Sequence, residues 1–136
     1  MEPYKARAVV FSDDGTKVLL IHRQKNGQEY WVFPGGSGEE KDATEAECVI
    51  RECLEELGVT VVIDEPLFVV RDTPVPEFFF RCSIVAGVVG TGTGPEFQRD
   101  PSISGTYTPK YVAIADIGPM KVVPPDAKSY VLQRTQ

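Results

Sequence analysis

Arg51-Glu52-Cys53-Leu54-Glu55-Glu56-Leu57-Gly58-Val59, preceded by Phe33-Pro34-Gly35-Gly36, places three carboxylates beside a glycine-rich turn. At about 100° per residue, positions 52, 55 and 56 of a helix fall within an arc of roughly 100°, so their oxygens can converge on a hard cation. Packing gives no reason for the clustering, because like charges four apart on a helix repel by about 0.2–0.5 kcal/mol. A divalent-metal site for a phosphorylated substrate is the chemistry these residue types serve.

The helix starts between Asp42 and Thr44, since Asp42-x-x-Glu45 and Thr44-x-x-Glu47 both have capping-box spacing. Ala46, Val49, Ile50, Cys53 and Leu57 recur at steps of three and four and mark the buried stripe, and Gly58 ends the helix. Before it, Ala6 to Phe11 and Lys17 to Arg23 read as a β-hairpin around Ser12-Asp13-Asp14-Gly15-Thr16. A turn at Asn26-Gly27 precedes a short strand, Tyr30 to Phe33. After it, Val59 to Asp64, Leu67 to Arg71 and Glu77 to Val89 are strands separated at Pro66 and at Pro74-Val75-Pro76. The Gly-, Thr- and Ser-rich stretch from Gly90 to Gly105 is long for a hairpin turn, and loops of that length are often functional. Thr108 to Ala115 adds a strand and Ala127 to Gln133 a short helix.

The 136 residues suit a single domain spanning 1–136, long enough to bury roughly two thirds of its unfolded surface. With 42% hydrophobic and 25% charged residues, the composition is that of a soluble globular protein. A net charge of -6 argues against a nucleic-acid strand or an anionic membrane as partner, so a phosphorylated small molecule would need cations as mediators. No apolar run approaches the ~20 residues of a membrane span and no signal-peptide segment opens the chain. Three cysteines fit neither a disulfide framework nor a Cys-x-x-Cys zinc site, and the expectation is a cytoplasmic protein with core thiols, monomeric or homodimeric.

Gly36 through Val59 resembles the Nudix box, G-x5-E-x7-R-E-U-x-E-E-x-G-U, with U a bulky apolar residue. Arg51, Glu52, Glu55, Glu56, Gly58 and Val59 match its second half, with Cys53 as a slightly unusual U. The resemblance implies a MutT-like member of the Nudix hydrolase family, an α/β (α+β) protein folded as an α/β/α sandwich with a mixed β-sheet. It implies Mg²⁺ or Mn²⁺ held by Glu52, Glu55, Glu56 and the Gly36 carbonyl, with Glu52 as ligand or general base and Arg51 orienting the carboxylates. It further implies substrate contacts from Gly35, Gly36 and Arg23, and an extra carboxylate from outside the box, for which Glu96 is the candidate.

The first half of the box departs from the pattern. Six residues after Gly36 stands Asp42 in place of Glu, and eight residues rather than seven separate it from Arg51. Asp42 substitutes for the glutamate, or Glu40 or Glu45 takes its place; Glu45 lies about 10 Å along the helix axis from Glu52, too far to share an ion's inner ligands. Trp31 and Phe33 could stack on a base but suit the core, and the lone His22 has no assigned role.

The activity implied is hydrolysis of a pyrophosphate bond in a nucleoside diphosphate linked to another group. A nucleoside triphosphate, oxidised or not, heads the substrates, cleaved to monophosphate and pyrophosphate. Dinucleoside polyphosphates, ADP-ribose and other nucleotide sugars follow. A nucleotide-binding module that has kept the fold and lost catalysis is the reading from a different class.

Overall fold

A computed structural model describes residues 1–94 and 105–134. The strands are β1 (Lys5–Val9), β2 (Lys17–Lys25), β3 (Gln28–Val32), β4 (Gly35–Ser37), β5 (Val59–Val70), β6 (Glu77–Gly87), β7 (Thr108–Ala113) and β8 (Val122–Val123). The helices are α1 (Glu45–Leu57) and α2 (Pro125–Gln133), and a 3-10 turn covers Ile114–Asp116. The strands form two four-stranded mixed sheets, ordered β4-β1-β6-β5 and β7-β2-β3-β8. β1 runs parallel to β6 and β3 parallel to β8, while the other pairings are antiparallel.

Two apolar clusters explain the layering. Cys48, Val49, Cys53 and Leu57 of α1 are fully buried against Ala6 and Ala8 of β1, Leu19 and Ile21 of β2, and Val59 and Val61 of β5. Ala127 and Val131 of α2 close over Val18 and Leu20 of β2, with Val9, Phe33 and Phe79. β2 therefore buries alternate residues on both faces, which is why Val18 to Ile21 is an unbroken apolar run. Each fully buried Val or Leu contributes about 1.5–3 kcal/mol, so the α1 stripe alone holds the helix to the sheet. The result is the expected helix–sheet–helix sandwich.

Several local expectations change. β1 and β2 reverse direction at the anticipated turn, with the Ser12 N–H on the Lys17 carbonyl and a single bridge from Phe11 to Val18. They then part into different sheets, because β1 completes β4 and β6 while β2 completes β3 and β7. Pro66 does not interrupt its strand. β5 runs through it as an edge strand, where a missing N–H leaves no partner wanting, and the ladder absorbs the residue by register shifts. β4 and β8 are too short to carry a strand signature. The turn at Asn26 and Gly27 has positive φ at both residues, 52° and 76°, as its Asn-Gly sequence demands.

All three cysteines are free and buried. Burial pushes the Cys48 thiol up to about 11 and that of Cys82 up to about 12, and raises Cys53 as well, so each is a protonated core residue at neutral pH. Among the described residues no helix is long and apolar enough to cross a membrane.

Candidate active site

Of the two possible helix entries, Thr44 is the cap: its side chain accepts the Glu47 N–H at 3.1 Å. At the other end Gly58 takes the left-handed conformation, φ 78°, and returns its N–H to the Leu54 carbonyl at 3.0 Å. These ends fix the phase of α1 and with it the placement of the glutamates. Glu52, Glu55 and Glu56 occupy the C-terminal half of a helix whose last turn has no basic residue. Glu55 and Glu56, in the last turn, oppose the helix dipole at about 0.3–1 kcal/mol each, beyond the mutual repulsion of the cluster. Arg51 offsets part of this by pairing with Glu52 and Glu55, and packing gives no further reason for the cluster.

The glycine turn is shaped around these side chains. Gly35, at φ 144°, donates its N–H to Glu56 Oε1 at 2.9 Å. A Cβ at Gly35 would collide with the Ala6 carbonyl, so no other residue fits between β4 and β1. A Cβ at Gly36 would overlap the Glu52 carboxylate, 2.6 Å from its Cδ, so the missing side chain is the space that Glu52 fills. The Gly36 carbonyl faces the Cys48 thiol at 3.7 Å. Glu56 is only 4% exposed, its carboxyl group held in place by the turn.

Arg51 organises the remaining acids. Its Nε and one terminal nitrogen grip both Asp42 oxygens at 3.0 and 2.9 Å, and that nitrogen also reaches the Ser37 carbonyl at 3.1 Å. The other terminal nitrogen lies 3.2 Å from both Glu55 oxygens, 3.5 Å from Glu52 and 3.3 Å from Glu39. The guanidinium fork thus binds Asp42 bidentately and holds Glu52 and Glu55 from one side. Hydrogen bonding to Asp42 raises Arg51 further above its ordinary range, and the same contact holds the Asp42 carboxyl below its ordinary 3.8.

The irregular first half of the box now has a physical account. Asp42 is committed to Arg51 and not to the glutamate cleft. Glu40 and Glu45 line a separate cavity with Tyr4, Arg71 and Phe78. A shorter side chain and one extra residue together deliver a carboxylate to the arginine. Because the folded Asp42 pKa is depressed, its stabilisation is full above about 3.8 and is lost as pH falls through the lower folded value. Thermal melts of Asp42→Asn from pH 6 to 3 should therefore show a shallower acid slope than wild type; identical slopes would contradict the pairing.

Glu52, Glu55 and Glu56 line one cleft of about 510 Å³ with Gly35 and Gly36. Arg23 lines it too, with its Nε donating to the Thr106 carbonyl at 2.8 Å and its guanidinium 3.7 Å over the Tyr107 ring and 5.8 Å from that of Tyr30. Lys5, Arg7, Tyr30 and Tyr107 complete wall positions that the motif does not reveal. Their signal in the sequence is the alternation Lys5-Ala6-Arg7-Ala8, which sends both cations to the face opposite the buried alanines. Phe33 is a core residue, and Trp31 stacks on His22 with centroids 4.2 Å apart, outside the cleft. Glu96 lies outside the described residues.

Among the described residues, no three His, Cys, Asp or Glu side chains are already gathered round a common point. Arg51 accounts for this, standing between Glu52 and Glu55 and drawing both. The donor set nonetheless suits Mg²⁺ or Mn²⁺: hard carboxylate oxygens on one cleft wall, with Glu55 about a third exposed.

The helix–sheet–helix sandwich presents an arginine-ordered glutamate cluster to a cleft that Lys5, Arg7 and Arg23 also line. The chain belongs to the NUDIX domain family, whose model matches residues 2–132. It is 38% identical over 87 residues to a MutT-like protein of Streptomyces ambofaciens, a match covering 62% of this chain and 54% of that protein. The chain thus spans about half the length of that relative. Its fold is similar to a NUDIX hydrolase from Nitrosomonas europaea, with a TM-score of 0.72 and 17% identity over 99% of this chain and 88% of the other. It is also similar to an ADP-ribose pyrophosphatase from Streptococcus suis, with a TM-score of 0.68 and 19% identity over 100% and 93%.

Proposed function

We propose that the protein is a pyrophosphohydrolase, dependent on Mg²⁺ or Mn²⁺, that cleaves a nucleoside diphosphate linked to another group. The observation carrying this reading is that three glutamates at the unfavourable end of α1 line the same cleft as Arg23 and the glycine turn. Nucleoside triphosphates, oxidised ones included, head the candidate substrates, followed by dinucleoside polyphosphates, ADP-ribose and other nucleotide sugars.

Glu52, Glu55 and Glu56 would hold the cations, with the Gly36 turn beside them. Bound there, the ions would neutralise a diphosphate that the acidic wall otherwise repels and polarise the attacked phosphorus. Water adds to one phosphorus, the bond from that phosphorus to the bridging oxygen breaks, and the phosphorylated leaving group departs. Glu52, where it is not a ligand, takes the proton of the attacking water as general base. Arg51 restricts the rotamers of Glu52 and Glu55 and holds both from one side, and cation binding would draw their oxygens off the guanidinium. Arg23, steadied by Thr106 and Tyr107, offers its guanidinium to a phosphate oxygen.

A panel of nucleoside triphosphates, dinucleoside polyphosphates and nucleoside diphosphate sugars, assayed with Mg²⁺ and with Mn²⁺, tests this. At least one compound should be turned over, chelation should abolish turnover, and restoring the cation should recover it. Tight nucleotide binding with no turnover of any compound would instead favour the non-catalytic binding module.

A further inference from the structure

Given the pyrophosphohydrolase reading, on which this rests, we propose that Lys5 and Arg7 form a second anion subsite, selecting substrates with phosphate beyond the cleaved diphosphate. The β1 ladder fixes both residues. Ala6 and Ala8 are fully buried under α1, so Lys5 and Arg7 lie on the other face, about 7 Å apart, and both line the glutamate cleft.

Arg7 is held rigidly. Its Nε bonds Glu77 at 3.1 Å and a terminal nitrogen bonds the Phe33 carbonyl at 3.1 Å, with 14% of the side chain exposed. Lys5 brings a flexible ammonium, with no ion pair to it among the described residues. Arg23 makes a third cation on a cleft of a chain whose net charge is -6. Divalent ions held by the glutamates would serve the scissile diphosphate, which would leave Lys5, and the part of the Arg7 guanidinium beyond its Glu77 and Phe33 contacts, to a further anion.

The cleft lining, among the described residues, offers little apolar surface to a nucleobase. Among the described lining residues Val32 is the aliphatic one, and the rings of Tyr107 and Tyr30 have the Arg23 guanidinium against them. An aromatic base meets little open apolar surface among these residues, whereas phosphate oxygens meet donors along this wall. Phosphate-rich substrates then rank ahead of simple nucleoside triphosphates. The extra phosphate can lie in a longer phosphate chain or stand as a phosphomonoester on the far half of the molecule.

Two substrate pairs separate these sources: diadenosine diphosphate against diadenosine tetraphosphate, and ADP-ribose against ADP-ribose carrying a phosphomonoester on its terminal ribose. Wild type should favour the phosphate-rich member of at least one pair by tenfold or more in kcat/KM. Lys5→Gln should shrink that ratio at least fivefold through KM, and Lys5→Arg should restore it; Arg7 is left in place because its Glu77 pair ties β1 to β6. Cleavage of the pairs with ratios within twofold, or a preference undiminished in Lys5→Gln, would overturn this inference alone. Cleavage of none of the four with Mg²⁺ or Mn²⁺, where other panel compounds are cleaved, also overturns it alone. Loss of all turnover across the whole panel overturns the hydrolase reading and this inference with it.

Discussion

Glu56→Gln is expected to lower kcat by ~10²–10³-fold, the size of loss that follows removal of one electrostatic contribution to the transition state, while leaving the melting temperature at or above that of wild type. The amide keeps an oxygen for the Gly35 N–H, so the turn retains its hydrogen bond. What disappears is an acidic group that is 4% exposed and lies beside Glu52 and Glu55 in the last turn of the helix. A purely structural glutamate would show the reverse pattern: a lower melting temperature with activity falling only as far as the folded fraction does. Steady-state kinetics at saturating Mg²⁺, paired with thermal melts, separates the two.

Gly36→Ala is expected to reduce kcat/KM by ~10²-fold, the loss that follows when a catalytic group is displaced by about an ångström. The added methyl would occupy the position of the Glu52 carboxylate and force it out of the cleft. Gly36 does not share the positive φ of Gly35, so the substitution adds no comparable backbone strain and the melting temperature should move little. Gly35→Ala is the contrasting control, since its methyl strikes the β1 backbone and should destabilise the whole sheet. Wild-type kinetics in Gly36→Ala would mean that Glu52 need not sit against the turn to act.

The motif carried much of the site because its spacing is a statement about one helix. Once Thr44 and Gly58 cap α1, the directions of Glu52, Glu55 and Glu56 follow from 3.6 residues per turn, with no long-range information needed. Gly35 and Gly36 were legible for the same reason, as close approaches that only glycine allows. Asp42 was harder: counting residues assumes a fixed path through the loop, whereas its carboxylate reaches Arg51 over a path one residue longer. Partnerships between distant strands were not legible at all. Turn chemistry at residues 12–16 shows that the chain reverses, but not that β1 and β2 then join different sheets. Lys5 and Arg7 were hidden by the same limit, since an alternating strand reveals its faces but not which cleft one face enters.

Turnover in H₂¹⁸O of the compound most rapidly cleaved in the panel, with product masses read under single-turnover conditions, reveals which atom the water attacks. Water activated in the Glu52–Glu55–Glu56 cleft should place one ¹⁸O on a phosphorus of one phosphorylated product, and chelation or Glu56→Gln should suppress its appearance. Label on a carbon of the product sugar, or cleavage that persists unchanged in Glu56→Gln and without divalent cations, would contradict it.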